Sequence, residues 1–219
     1  MGAILTWDRV VRFTVGLWFF FLATATAYNL FAANSFAALD SLDLARLFSK
    51  SCVLSFLALL GWLTITRLQP SKRAAGWQPR VSAVLGTNLI FVGIIFLNPR
   101  DDLPIGMHLL SATLILVGNA CAVYTVAHLG RSFSIMAEAR RLVTNGPYGV
   151  IRHPLYLAEQ LSIIGTAVLY ASPLMFALVA VQFGFQVRRM LNEEAVLAAS
   201  FPEYLGYRAR TARLLPGIW

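Results

Sequence analysis

The sequence predicts an all-α, polytopic membrane helical bundle: four spans, then a C-terminal helical hairpin and amphipathic cytosolic helices. Three observations carry that prediction. The 219 residues are 58% hydrophobic and only 13% charged, with a mean hydropathy of +0.68, whereas a soluble domain is about 45–50% apolar and about 25% charged. The apolar residues gather in runs close to the roughly 17–25 residues that cross a bilayer. The basic residues alternate with those runs. With segments placed inside and outside in turn from an inside N-terminus, fifteen Arg and Lys residues fall inside and three, Arg46, Lys50 and Arg100, fall outside. This positive-inside bias calls for an even number of crossings and puts both termini in the cytosol, in a bacterial inner membrane or its equivalent. The net charge of +8 therefore marks topology beside anionic headgroups, and no nucleic-acid partner is expected.

The first run covers 10–33. Arg9, Arg12 and the small residues from Ala23 to Ala27 resemble a secretory signal, but losing this run would invert the charge pattern, so it is expected to remain as a span. Residues 34–50 form a short, charge-balanced outside loop, and 51–66 the second run. Residues 67–80 carry four basic residues and no acid, with Pro70, Gly76 and Pro79 as breakers, which suits an inside linker. The third run, 81–97, ends in a tight turn at 98–102, and the fourth covers 107–129. Cys52 and Cys121 fall inside spans and are expected to be small buried packing residues, with no metal site. Asn119 is expected to hydrogen bond between helices, and His128 to reach the interface. Residues 1–129 thus read as a four-helix membrane scaffold, and 130–219 as the region that carries chemistry.

That region centres on 142–156, a polar, turn-rich stretch between long apolar runs. Gly146-Pro147 and Gly149 are turn chemistry. Pro154 suits the first turn of a helix, where its missing N–H costs nothing. His153 is then the N-cap, and the amides after it face the loop, ready for electron-rich groups. Residues 129–135 are too polar and small for membrane and can wall a pocket with this stretch. The fifth run, 155–187, is long enough for two crossings and reads as a helical hairpin turning at Ser172-Pro173. Glu159 lies about a turn inside it. An ionisable group there is costly and marks a functional candidate, the alternative being a structural pair with a base such as Arg152. Gln182 and Gln186 are expected to be structural. Beyond Arg188-Arg189 the pattern is that of an amphipathic surface helix with Glu193-Glu194, Leu197 and Phe201. Ser200 and Glu203 have capping-box spacing for a further helix, on which Tyr204, Tyr207 and Arg210 share a face.

Leu142-Val143-Thr144, Gly146-Pro147-Tyr148, Arg152-His153-Pro154 and Tyr156, followed by Glu193-Glu194, Leu197, Phe201, Tyr204, Tyr207, Arg210 and Leu215-Pro216, resemble the isoprenylcysteine carboxyl methyltransferase family. The phospholipid N-methyltransferases share its superfamily. The resemblance covers the chain from about Gly130 to the C-terminus. It implies S-adenosyl-L-methionine as methyl donor, held by Tyr148, Arg152, His153, Pro154, Leu155, Tyr156, Glu193 and Glu194. It also implies a lipophilic or prenylated acceptor entering from the bilayer, and a catalytic-site arginine at Arg210, whose planar fork suits a carboxylate. A carboxylate acceptor needs no general base; an amine does, and Glu159 or a member of the acidic pair, Glu193 or Glu194, is a candidate. Glu159 departs from the family, which usually has an apolar residue there, so the nucleophile stays open. Arg-His-Pro-x-Tyr-x-x-Glu also resembles the C-terminal motif of NADPH-dependent membrane sterol and steroid reductases. Those proteins favour an Arg-Asp and Cys pattern where this chain has Glu193-Glu194-Ala195-Val196-Leu197. A small transporter would call for inverted repeats, and the sequence has no internal repeat.

Overall fold

Prolines open three of the helices, at Pro79, Pro154 and Pro173, each in a first turn where no N–H is needed. The computed structural model describes residues 2–32, 41–100 and 102–217, with the side chains of 10, 12–28, 47, 51–100 and 102–217. The helices run α1 (Gly2–Ala32), α2 (Ser41–Thr66), α3 (Gln78–Phe96), α4 (Ile105–Leu129), α5 (Pro154–Tyr170), α6 (Pro173–Ala198) and α7 (Tyr204–Arg210). The chain is an all-α membrane helical bundle. Helix α3, helix α4 with its 3₁₀ extension, and α6 are each long and apolar enough to cross a membrane. Large apolar side chains such as Leu17, Phe21, Trp62, Ile95, Phe96 and Leu110 face outward, as lipid-facing surfaces require.

Three boundaries differ most from the sequence reading; one is the end of α6, which continues unbroken past 187 to Ala198. Helix α1 extends back to Gly2, and α2 begins at Ser41, ahead of the expected start at 51. Residues 41–50 contain Leu, Ala, Arg and Lys, good helix formers, so the helix continues past the apolar stretch. Residues 33–40 of the expected outside loop and Asp101 of the 98–102 turn lie outside the described residues, as do the side chains of Arg9, Arg46 and Lys50. The hairpin turns where expected. Ala171, in the left-handed region at φ 44, ends α5 just before Ser172 and Pro173.

Helix α1 packs along α2, α2 against α4, α4 along α5, and α3 along α6. The α4–α5 contact is close because both helices offer glycine there. A Cβ on Gly118 would lie 2.6 Å from Ser162 N and 2.8 Å from Ala158 O, and one on Gly165 would lie 2.9 Å from Ile115 N. Small residues let backbones approach in lipid. Ser111 Oγ then donates to Gly165 O across the gap at 2.7 Å. A core of Phe19, Leu60, Leu63, Ala122, Val126, Phe133, Leu155 and Ala158 joins α1, α2, α4 and α5.

A short antiparallel ribbon pairs β1 (Lys72–Arg73) with β2 (Glu138–Ala139). Flanking bonds from Leu68 N to Arg131 O at 2.9 Å and from Ala74 N to Ala137 O at 2.9 Å tie the 67–80 linker to the segment after α4. Three smaller expectations are corrected. Asn119 Nδ2 donates to Ile115 O of its own helix at 2.9 Å and not to a neighbouring one, because that carbonyl lies within reach four residues back. Cys121 is exposed and Cys52 half-buried, so neither is a buried core residue. Ser200 Oγ donates back to Val196 O at 2.7 Å, so it does not cap the next helix; α7 starts after Glu203 with no side-chain cap bond.

Candidate active site

The site begins where α5 begins. His153 is the N-cap, at φ −125 and ψ 56, and Pro154 is the first helical residue. The amides of the two residues before the proline turn to the C-terminal tail: Arg152 N donates to Ala212 O at 2.8 Å and His153 N to Arg213 O at 3.1 Å. Tyr207 OH on α7 adds a 2.6 Å bond to Tyr148 O. The tail is thereby strapped across the 148–153 loop.

Glu194 locks this strap. Its Oε1 accepts from Arg152 Nε at 3.0 Å and from Arg213 Nε at 2.9 Å, its Oε2 accepts from Arg213 Nη2 at 2.9 Å, and His153 Nε2 lies 3.2 Å from Oε1. Arg152 Nη1 also donates to Arg208 O at 3.0 Å and to Thr211 O. Arg152 is thus engaged by Glu194 and the tail, and the alternative pairing of Glu159 with Arg152 is corrected: Glu159 Oε2 accepts from Gln186 Nε2 at 3.2 Å. Gln186 and Gln182 are wholly buried, and Gln182 Nε2 donates to Gly86 O at 2.8 Å.

Glu193 faces elsewhere. It accepts from Tyr156 OH, and Arg189 stacks over the Tyr156 ring, 4.8 Å from its centroid. Arg189 is held by Thr87 Oγ1 at 3.0 Å and Ile135 O at 3.1 Å. These groups border a cavity. Of the residues expected at a site, Tyr148, Arg152, His153, Leu155, Tyr156, Glu159 and Glu193 line it, whereas Pro154, Glu194 and Arg210 do not. Ser132, which ends the 3₁₀ turn Gly130–Ser132, and the residues after it to Met136 also line the cavity, with Phe19 of α1 and Leu60 of α2. Arg210 is exposed on α7, its Nε donating to Gly206 O at 3.2 Å.

Sequence reasoning passed over Arg213, Arg189 and Arg140 as site residues, and included Ser132 only as part of the 129–135 wall. The three arginines entered only as topology markers, since nothing local to them signals a partner dozens of residues away. Arg140, Arg189, Ser132 and Tyr204 all line the cavity with buried polar atoms that have no hydrogen-bond partner among the described residues: Arg140 Nε and Nη1, Arg189 Nε, Ser132 Oγ and Tyr204 OH. Burial, with the Glu194 charge adding to it, raises the Tyr204 pKa above its ordinary value, so the phenol stays a donor. Buried polar atoms are normally satisfied, and a cluster around one cavity fits a polar ligand. Such a ligand would find N–H and O–H donors for a carboxylate or ring nitrogens, and Glu193 and Glu159 for an ammonium or hydroxyls.

Residues 107–204 match the family model for phospholipid methyltransferase. The cobalt-zinc-cadmium resistance protein CzcN of Cupriavidus metallidurans is 33% identical over 154 residues, 67% of this chain and 64% of the relative. The nickel-cobalt-cadmium resistance protein NccN of Alcaligenes xylosoxydans xylosoxydans is 31% identical over 114 residues, 50% of this chain and 53% of the relative. Protein-S-isoprenylcysteine O-methyltransferase B of Arabidopsis thaliana is 31% identical over 113 residues, 48% of this chain and 57% of the relative. The chain thus spans less than two thirds of the length of each of these relatives. It belongs to the superfamily of membrane proteins that unites the isoprenylcysteine carboxyl methyltransferases with the phospholipid methyltransferases.

Proposed function

We propose that the protein is an integral-membrane, S-adenosyl-L-methionine-dependent methyltransferase, acting on a lipophilic or prenylated acceptor at the cytosolic boundary of the membrane. One observation carries the reading. A single cavity is lined both by Arg152, His153, Tyr156 and Glu193 and by the apolar Phe19, Leu60, Phe133 and Leu155, which pack in one cluster. A water-borne donor and an oily acceptor therefore have walls of matching chemistry in one place. In this reading the chain crosses the membrane six times with both termini cytosolic. Residues 130–219 supply the polar wall, and the 1–129 scaffold closes the apolar one through Phe19 and Leu60.

The bound donor supplies a methyl group on a sulfonium, an electrophile that needs alignment and dryness more than activation. The chain's residues provide both. Tyr156 and Arg189 orient Glu193, whose carboxylate is placed for an ammonium or a ribose hydroxyl. Glu194 is saturated by Arg152, His153 and Arg213, so it acts by positioning Arg152 and His153. The strapped tail shields the cavity from water. For an acceptor that must lose a proton, Glu159 is a cavity carboxylate, held by Gln186, that could take it; a carboxylate acceptor needs none. Arg210 enters this reading through the family resemblance alone.

The names of CzcN and NccN raise metal resistance as a context for the same activity. Among the described residues no three His, Cys, Asp or Glu side chains gather as metal ligands, which lends no support to direct metal binding. The test is isothermal titration of the detergent-solubilised protein with S-adenosylhomocysteine and with NADPH, followed by radiolabelled methyl transfer to a panel of lipids and prenylcysteines. Binding of S-adenosylhomocysteine and label in an extractable lipid are expected. Binding of NADPH alone, or of neither, refutes the proposal.

A further inference from the structure

Arg140 follows β2, where side chains alternate from face to face, so it lies on the same side of the strand as Glu138. The ribbon fixes that placement by pairing Arg73 opposite Glu138. Glu138 is then shared among three donors: Arg73 Nε at 3.0 Å, Ser134 Oγ at 2.7 Å, and Arg140 Nη2. Its two oxygens are occupied, yet Arg140 has satisfied only one of its three nitrogens. The Arg140 side chain is 0% exposed, and its Nε and Nη1 have no hydrogen-bond partner among the described residues. Burial, resisted by the Glu138 carboxylate and reinforced by the like charge of Arg67, brings its pKa down to about 10. The group is still a cation at neutral pH. A buried cation with unmet N–H groups is costly, and Arg140 is among the residues that line the cavity. Ser132, whose buried Oγ also has no hydrogen-bond partner among the described residues, lines the same cavity.

We propose that Arg140 and Ser132 form an anion subsite that holds a carboxylate or phosphate group of a molecule bound in the cavity. Both anions accept guanidinium N–H bonds and a hydroxyl bond. The inference rests on the cavity being the methyl-transfer site, and there the anion has two sources: the amino-acid carboxylate of the donor, or the headgroup of a lipid acceptor.

The experiment uses the full chain in detergent and four probes: S-adenosylhomocysteine, its decarboxylated analogue, a short-chain phosphatidylglycerol, and an uncharged diacylglycerol of the same chain length. Each is titrated against wild type, Arg140→Gln and Ser132→Ala, with thermal unfolding measured in parallel. A hydrogen bond to a charged group is worth about 1.5–3 kcal/mol, so the loss expected in Arg140→Gln is at least about tenfold in affinity, and a smaller loss in Ser132→Ala. If the loss is confined to S-adenosylhomocysteine and spares the decarboxylated analogue, the subsite takes the donor carboxylate. If it is confined to phosphatidylglycerol and spares the diacylglycerol, it takes a headgroup. Equal affinities in wild type and both variants mean that water satisfies Arg140, and the proposal falls while donor binding by wild type stands. Wild type binding phosphatidylglycerol in an Arg140-dependent way, but not S-adenosylhomocysteine, keeps the subsite and removes the methyltransferase reading. Wild type binding none of the four removes both. If Arg140→Gln fails to fold, Ser132→Ala decides by the same comparisons.

Discussion

Replacing Glu194 with Gln tests the strap directly. The carboxylate receives three guanidinium hydrogen bonds of 2.9–3.0 Å, and the side chains of Glu194, Arg152 and Arg213 are only 5%, 9% and 11% exposed. The amide keeps one acceptor oxygen but turns its NH₂ toward a guanidinium, so about two charge-assisted bonds are lost, at about 1.5–3 kcal/mol each. Breaking a buried pair from one side typically costs about 3–5 kcal/mol, and the two routes agree at roughly 3 kcal/mol. For a chain of this size each kcal/mol lowers the melting temperature by roughly 2–4 °C, so the melting temperature is expected to fall by roughly 6–12 °C. The loosening is local first. The amides of Arg152 and His153 donate to Ala212 and Arg213 carbonyls, so hydrogen exchange at those two amides is expected to accelerate well before exchange in α4 and α5. Glu193→Gln, which leaves Arg152, His153 and Arg213 paired, is expected to leave both amides protected and to weaken S-adenosylhomocysteine binding instead. Wild-type protection at Arg152 and His153 together with an unchanged melting temperature in Glu194→Gln would refute the claim that this residue closes the tail.

Two further outcomes follow from the same geometry. Gly118→Ala drives a Cβ to 2.6 Å from Ser162 N, which backbone cannot relieve cheaply, so thermal unfolding is expected to show a loss of about 1–3 kcal/mol. Gly184→Ala meets nothing within 4 Å and is expected to be neutral or to gain up to about 1 kcal/mol; equal effects at the two positions would count against tight α4–α5 packing. Arg213→Ala is expected to reproduce the instability of Glu194→Gln, whereas the exposed Arg210→Ala leaves unfolding unchanged and, if the family resemblance holds at that position, lowers only methyl transfer. The reverse ranking in unfolding would mean that the tail is held through α7 and not through its last turn.

What the sequence made readable is what depends on near neighbours. Apolar runs mark helices because lipid is a uniform solvent, and the starts at Pro154 and Pro173 show because a proline tolerates only a first turn, whereas Pro79, read as a breaker in the linker, lies in the first turn of α3. The local signals that misled were those with a nearer competitor. Ser200 has an N-cap pattern, but the Val196 carbonyl lies one turn back and takes its hydroxyl; Asn119 is claimed in the same way by Ile115. The ribbon pairing Arg73 with Glu138 is only two residues long and draws its partners from segments either side of α3 and α4, so no periodicity announces it. Arg189 and Arg213 were hidden for a similar reason. A guanidinium at the end of a span is first of all a topology signal, and only the fold shows which one turns inward.

The twin glutamates show how an adjacent pair divides into two roles. Neighbouring residues on an α-helix point about 100° apart, so Glu193 and Glu194 cannot serve one centre equally. Glu194 points to the start of α5 and the tail, where three basic side chains occupy it. Glu193 points to Tyr156 and the cavity. The first has no free oxygen to offer a ligand without releasing the strap. In the proposed reaction, the carboxylates that can meet a bound molecule are therefore Glu193 from α6 and Glu159 from α5. Closure of the tail and the polarity of the cavity are then set by different residues of one motif, so either can fail alone. Glu194→Gln should open the cavity to water with its carboxylates intact, and Glu193→Gln should leave it closed with one of them gone.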